Sequence, residues 1–559
     1  MQQITKLTNK VQPPYWLDLL VLAILLGIFF AIFLGSYPLT TPDGGRYAEI
    51  AREMVANKDY IVPHLNGVLY FEKPVLYYWL EAFSIHLFGL SEWSMRLWQA
   101  IFGIAGCLIT YTAGRRFYNR ATGILACLIL ATSILYFLMC HLITLDVAVA
   151  VLITASLVAF LFGAFEINNF KRRMYFWLAF ALAGLAVMTK GLIGIVFPCM
   201  IVGFWIMVLN GWKSLKKWYL PSSIIIFLLI TLPWHILIQL KHPEFFHFYF
   251  IEQQLSRYGT MSAGRYQPIY FFFFIMFLGF FPWSSFFCQA IKHAWPTWKQ
   301  RKQYKINIFL LLWFFLIFIF FSISDSKLIP YILPIFPPAA ILTAHYLISF
   351  KNQKTLGIKI GFSLLSLLGI LSGIALYAIT FYYKEMSNVL IAHKFLTALA
   401  IVITITTLSS TIVFWKYKLK PALIVLISGI VIFLVILICA IPYINDRSVK
   451  SFAEQIIKIQ KPGDEIIIYD TYYQDLPFYA RQRVNVVRWT NELKFGIKHQ
   501  NTKKWMIDYN TFHHRLKSNK RIFVVVHNSD YNGMTKRYPD IKFYKLNQTS
   551  ENLLVSNQK

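Results

Sequence analysis

Charge is scarce in this chain. Only 14% of its 559 residues are Asp, Glu, Lys or Arg, while 57% are hydrophobic; soluble domains carry roughly 25% charged residues. That deficit over this length excludes an ordinary soluble protein and points to a polytopic membrane protein. Acidic residues are scarcer still: 25 Asp and Glu stand against 54 Lys and Arg, a formal net charge of +29. A nucleic-acid-binding protein would gather such an excess into a patch or stripe. Here the basic residues fall in short clusters between apolar runs, the pattern of cytoplasmic loops. Cysteine is sparse as well. Cys107, Cys127, Cys140, Cys199, Cys288 and Cys439 lie in or beside apolar segments, no two have Cys-x-x-Cys spacing, and the polar C-terminal tail has none. Neither a disulfide framework nor a cysteine zinc cluster is indicated; small packing residues are. The tail also lacks a Gly-rich phosphate loop, and the chain shows no internal repeat and no low-complexity tract.

Long apolar runs are abundant. A membrane span needs about 20 apolar residues. The first, 16–34, is too long for a signal-peptide core and has no clean cleavage site, so it reads as a retained span. Others begin near Ser91, Ala121, Leu145, Tyr175, Gly191, Trp218, Tyr266, Ile306, Ile329, Ile358, Ala392 and Leu423. The expectation is an all-α polytopic membrane domain over 1–444 with about 13 transmembrane helices. Alternate loops carry Arg115-Arg116-Arg120, Lys171-Arg172-Arg173, Lys213-Lys216-Lys217, Lys299-Arg301-Lys302-Lys305, Lys351-Lys354-Lys359 and Lys416-Lys418-Lys420. All fall on one side if the N-terminus, with Lys6 and Lys10, is cytoplasmic. The other side then holds the first loop (36–90), 141–146, Thr189-Lys190, 241–265, 322–327 and the tail. In the tail, β-rich runs at 465–469, 484–487 and 522–526 alternate with helical stretches at 452–459 and 510–517. That predicts a small C-terminal α/β domain over 445–559, on the non-cytoplasmic face, which in a bacterium is the periplasm.

The stretch 36–79 is a polar excursion in an apolar chain. It holds Asp43, Arg46, Tyr47, Glu72 and Lys73. The same predicted face carries Asp146, Lys190, His247, Arg257, Lys327 and Tyr331. Ionisable groups at membrane depth are costly and are functional candidates by default. Arg46, Lys73, Lys190, Arg257 and Lys327 suit a phosphate, and a phosphate with an apolar tail at the membrane surface is a lipid-linked substrate. Tyr47, Tyr70, Phe71, Tyr77, Tyr78 and Trp79 suit sugar faces or the membrane interface, and most read as an interfacial belt. Each residue also has a plain structural reading. Lys and Arg at span ends snorkel. Asp146 caps the fourth span. Asp43 is a turn or cap residue before a helix over 46–56. What favours function is that one face collects nearly all of them.

At these residues the chain resembles a known family. PDGGRYAEIAREM resembles the Asp-x-x-Arg-Tyr-Ala motif in the first periplasmic loop of the aminoarabinose lipid A transferase family, and YFEKPVLYYW resembles its Tyr-Phe-Glu-Lys-Pro motif. TLD at 144–146, TKG at 189–191, FFHFYFIEQQLSRY, Pro282-Trp283 and SKLIPYILP at 326–334 match in order, over about residues 10–345 and more loosely the tail. The resemblance implies a GT-C fold shared with protein O-mannosyltransferases, with 13 spans, juxtamembrane helices in the first loop and a periplasmic C-terminal domain. It implies an enzyme of the bacterial inner membrane that moves an amino sugar from a polyprenyl-phosphate donor to a lipid A phosphate.

It also implies roles. Asp43, Asp146 and Lys73 become the catalytic set, Lys73 holding the donor phosphate with Arg257 as a second contact. Arg46, Tyr47, Glu72, Lys190, Lys327 and Tyr331 bind substrate, Tyr331 in a segment that closes over the cavity. A zinc ion is implied on Glu72 and a later-loop histidine; Gln254 occupies that register and His247 lies off it. Gly44 stands where the family often has an acid. Two alternatives remain. One is a protein O-glycosyltransferase of the same fold, in which Asp43 becomes a general base. The other is a lipid-linked sugar flippase, which would ordinarily show matched pseudo-repeats.

Overall fold

The computed structural model describes residues 13–256, 266–382, 389–444 and 448–559. The apolar runs are helices: α1 (Tyr15–Ala31), then, after the first loop, α4 (Glu92–Phe117), α5 (Arg120–Ala131), α6 (Ile134–Met139), α7 (Leu145–Phe165), α8 (Asn169–Lys190), α9 (Ile193–Leu209) and α10 (Leu220–Lys241). They continue through α11 (Phe271–Gly279), α12 (Ser284–Ala294), α13 (Lys305–Ile323), α14 (Phe336–Ser349), α15 (Leu356–Tyr382), α16 (Val389–Lys416) and α17 (Leu419–Ile444). The first loop supplies α2 (Asp43–Asn57) and α3 (Leu76–Phe88).

Composition explains where each helix sits. Helix α7 is apolar nearly throughout, with Asp146 in its first turn, and 89% of its apolar window is buried in protein, so it forms the bundle's centre. Helices α1 and α10 instead present Leu20, Ile24, Ile28, Leu229 and Ile236 outward, which only a lipid solvent rewards. Helix α5 stops where Thr132 and Ser133 turn their hydroxyls back onto the carbonyls of Leu128 and Ile129, the competing local bonding open to such residues.

Each of the thirteen segments expected from sequence is helical. By length and apolarity, eight helices among the described residues are able to cross a membrane, and nine if the α11–α12 pair, bent by 106°, is one span. Helices α1, α5 and α9 are apolar but shorter, and α8 opens on the charged run Lys171-Arg172-Arg173. The chain is thus a multi-pass membrane protein, while the number thirteen rests on the sequence pattern.

The basic loops meet one another at one end of the bundle. Asp18 of α1 accepts from Arg115 and Arg120. Arg116 pairs with Glu166 at 2.9 Å, and Arg301 donates to the Val208 carbonyl. The first loop and the tail meet at the other end.

In the first loop a tight hairpin joins β1 (His64–Leu65) to β2 (Val68–Leu69). Its turn is Asn66-Gly67, both at positive φ (53° and 72°), as a two-residue hairpin whose twist matches its strands requires. The tail forms a six-stranded sheet in the order β5-β4-β3-β6-β8-β7. Strands β3 (Glu465–Tyr469), β4 (Asn485–Val487), β5 (Met506–Ile507) and β6 (Ile522–His527) are parallel; β7 (Tyr544–Gln548) and β8 (Asn552–Ser556) add antiparallel. Its helices are α18 (Lys450–Ile459), α19 (Asp475–Ala480), α20 (Lys494–His499), α21 (Tyr509–Leu516) and α22 (Asn528–Arg537). Strands β5, β7 and β8 are additions to the three expected.

Sheet domain and first loop share one hydrophobic cluster, in which Tyr70, Phe71, Tyr77 and Tyr78 pack with Phe452, Leu476 and Phe478. The Asn66 amide bonds both backbone groups of Val484 at 2.9 Å. Asp475 accepts from Thr41 Oγ1 at 2.8 Å and from Ser448 and the Val449 N–H.

Candidate active site

Helix α2 begins at Asp43, earlier than the start expected at Arg46. Asp43 is the first residue of the helix, after the N-cap Pro42, and its Oδ1 accepts from Arg46 Nη1 at 3.0 Å. The other arm of the Arg46 guanidinium pairs with Glu492 of the sheet domain. Gln474 Nε2 donates to Glu492 Oε1 at 2.9 Å. Burial pushes the Glu492 carboxyl up from its ordinary value, and the Arg46 guanidinium draws it back in part.

Beneath this pair lies a cavity of about 160 Å³. The first loop lines it with Asp43, Arg46, Tyr47, Glu72 and Lys73. Asp146 and Val149 come from α7, Lys190 from the end of α8, and Ile193 and Phe197 from α9. Gln253 and Gln254 come from the π-helical turn His247–Ser256, and Tyr331 from the 3-10 turn Ile329–Ile335. Asp146 lies in the first turn of α7, where its charge suits the helix dipole, and it also forms an ion pair with Lys190. The Lys190 ammonium lies 4.6 Å from the Tyr331 ring centroid. Both side chains are only 12% exposed, so the pair is screened little by solvent. Gly191, at φ +93°, ends α8; a Cβ there would stand 2.7 Å from both Gln254 Nε2 and Tyr249 OH. A side chain at 191 would therefore displace the glutamine from the cavity wall.

The predicted site residues thus divide. Asp43, Arg46, Tyr47, Glu72, Lys73, Asp146, Lys190 and Tyr331 converge on one cavity. Lys327 does not line it: its ammonium donates to the carbonyls of Gln267 and Ser324 and ties two chain segments together. Arg257 lies outside the described residues. The aromatic belt expected of the first loop is largely internal: Tyr70, Phe71, Tyr77 and Tyr78 are fully buried, Phe71 against Phe495 of the sheet domain, and Tyr77 and Tyr78 against Tyr47, with Tyr77 OH accepting from Gln99 of α4.

The two residues implied for zinc, Glu72 and His247, each have another partner. His247 is 73% exposed and pairs with Glu252 at 3.3 Å. Glu72 accepts from Tyr70 OH at 3.4 Å. Among the described residues no three His, Cys, Asp or Glu side chains are placed to share a metal ion. Glu72 and His247 do line a common second cavity of about 760 Å³, with Gln253, Glu492, Lys494 and Lys498.

Sequence reasoning missed Glu492 and Gln474. In the tail a lone Glu reads as a solvated charge, and no local signal marks it. It also missed the hairpin, although Asn66-Gly67 was a usable signal.

Comparison with known proteins agrees with this architecture. A family model described as dolichyl-phosphate-mannose-protein mannosyltransferase matches residues 37–249, and one described as aminoarabinose transferase C-terminal domain matches 452–557. An undecaprenyl phosphate-alpha-4-amino-4-deoxy-L-arabinose arabinosyl transferase 2 from Proteus mirabilis is 34% identical over 58% of this chain and 59% of its own, so that match spans under two thirds of the relative. The corresponding arabinosyl transferase of Erwinia tasmaniensis is 27% identical over 89% of this chain and 91% of its own. The crystal structure of ArnT from Cupriavidus metallidurans bound to undecaprenyl phosphate superposes with a TM-score of 0.86, at 23% identity, over 97% of this chain and 98% of that one. One family model matches the first loop and the helices after it, the other matches the sheet domain, and the whole chain shares the fold of a solved arabinosyl transferase, so the protein is similar along its length to aminoarabinose transferases.

Proposed function

We propose that this protein is a glycosyltransferase that moves an amino sugar of the aminoarabinose class from undecaprenyl phosphate to a phosphate of lipid A. The observation that carries the reading is the cavity at the polar end of the bundle. It sets Lys73, Arg46 and the Asp146–Lys190 pair beside the apolar Ile193 and Phe197. A phosphate with a hydrocarbon tail needs that combination: cations for the head and apolar wall for the first isoprene units.

The chemistry is displacement at the anomeric carbon. The bond from that carbon to the lipid-phosphate oxygen breaks, and its electron pair stays on the lipid phosphate. A bond forms to an oxygen of the acceptor phosphate from the opposite face, inverting the carbon. A phosphate's second pKa is about 6, so the acceptor arrives as an anion and needs no strong base. What the protein must supply is preplaced positive charge where the leaving phosphate develops its own. Lys73 takes that role, with Arg257 as second contact. Lys190, held by Asp146, adds charge from the α8 end. Asp43 orients the acceptor or holds a hydroxyl or ammonium of the sugar. No step here runs through a metal. The collected basic loops support a cytoplasmic placement of their end of the bundle, and with it a periplasmic location for the cavity, the first loop and the sheet domain.

Mass spectrometry of lipid A from strains with and without the gene tests the reading. A phosphate-linked amino-sugar mass that vanishes with the gene is expected. Unchanged lipid A alongside loss of glycan from secreted proteins would replace it with protein O-glycosylation. Unchanged lipid A with sugar-lipid accumulating on the cytoplasmic leaflet would replace it with flipping.

A further inference from the structure

The sheet domain does more than cover the first loop. Arg46 lines the cavity, and its guanidinium is held at both ends, by Asp43 at 3.0 Å and by Glu492. Arg46 Nε is buried and has no hydrogen-bond partner. The hold on Glu492 is itself built: Gln474 occupies Oε1, leaving Oε2 to Arg46. Glu492 also lines the second cavity, whose wall shares Glu72 and Gln253 with the first. The Arg46–Glu492 pair therefore stands in the partition between the two cavities.

We infer that Glu492 is a positioning residue of the transferase reaction, acting through Arg46 to keep the Asp43 carboxylate available. A guanidinium left beside a single carboxylate turns its fork onto both oxygens. By taking one arm of Arg46, Glu492 limits Asp43 to a single bond from it and leaves the other oxygen for substrate. The C-terminal domain is in this way part of the catalytic unit. This rests on the transferase reading above.

The test uses the purified full-length protein, undecaprenyl-phosphate-linked amino sugar and lipid A. It compares wild type with Glu492→Ala, Arg46→Ala and the double variant. Glu492→Ala is expected to lower kcat about tenfold with donor KM and undecaprenyl phosphate binding within about twofold, and to add nothing in the Arg46→Ala background, as coupling through one partner requires. Losses that multiply in the double variant, or an unchanged kcat in Glu492→Ala, overturn the inference. Should Glu492→Ala fail to fold, Glu492→Gln keeps the shape and removes the charge; a kcat equal to wild type there overturns it equally. A wild-type protein with no transfer activity would instead defeat the proposed function.

Discussion

Lys190 and Asp146 form an ion pair across the α7–α8 hairpin, with the Tyr331 ring beside the ammonium at 4.6 Å. Removing one partner of a buried pair leaves an uncompensated charge, which costs about 3–5 kcal/mol. Lys190→Met should therefore lower the unfolding temperature in detergent and abolish transfer. The double variant Lys190→Met with Asp146→Leu should recover the stability and none of the activity. Thermal unfolding followed by fluorescence, together with a transfer assay, separates the two effects.

Lys73→Ala and Asp43→Asn should each lower transfer by about a hundredfold or more, the scale of losing a preplaced transition-state contact, with membrane expression intact. They should differ in binding. Lys73→Ala loses affinity for undecaprenyl phosphate, and Asp43→Asn keeps it. Near-normal turnover in either variant would remove that residue from the site.

Gly45 packs directly on the sheet domain. A Cβ there would lie 2.3 Å from the Asp475 backbone nitrogen and 2.6 Å from its Cα, groups that cannot swing aside. Gly45→Ala should cost roughly 1–3 kcal/mol, as overpacking does, and should speed proteolysis of the C-terminal domain. Gly203→Ala, where a Cβ meets open space, is the matched control and should be close to neutral in the same proteolysis assay.

Glu465, at the start of β3, accepts from Arg515 at 2.7 Å and Lys520 at 2.9 Å. Burial alone would raise its carboxyl; the two cations outweigh that and hold it below its ordinary 4.5. Because the folded pKa lies below the unfolded one, the stabilisation is present above about pH 4.5 and is lost as pH falls through the folded value. Glu465→Gln should flatten the acid side of the stability curve. An acid limb identical to wild type in a thermal series from about pH 3 to 7 would count against the bridge.

Much of the site was legible because it is written in local chemistry. A charged residue inside an apolar run, such as Lys190 in MTKG or Asp146 in TLD, is costly wherever the helix goes. Its presence alone marks a functional candidate. Lys327 shows where that logic misleads. The same cost is met there by two backbone carbonyls, an arrangement set by chain segments about sixty residues apart.

The sequence by itself determined the membrane class, the helical segments, the gathering of basic residues into short loops and the Asp43-to-Lys73 loop as the candidate stretch. Each follows from composition or from the spacing of neighbours along the chain. Tertiary structure alone decided that Arg46 shares its guanidinium between Asp43 and Glu492, and that the first-loop tyrosines are buried inside the protein. It also decided that His247 and Glu72 line a common second cavity. Those relations join residues far apart along the chain, some by hundreds of positions. Their physical basis is which surfaces the fold brings into contact and desolvates, and no local pattern encodes that.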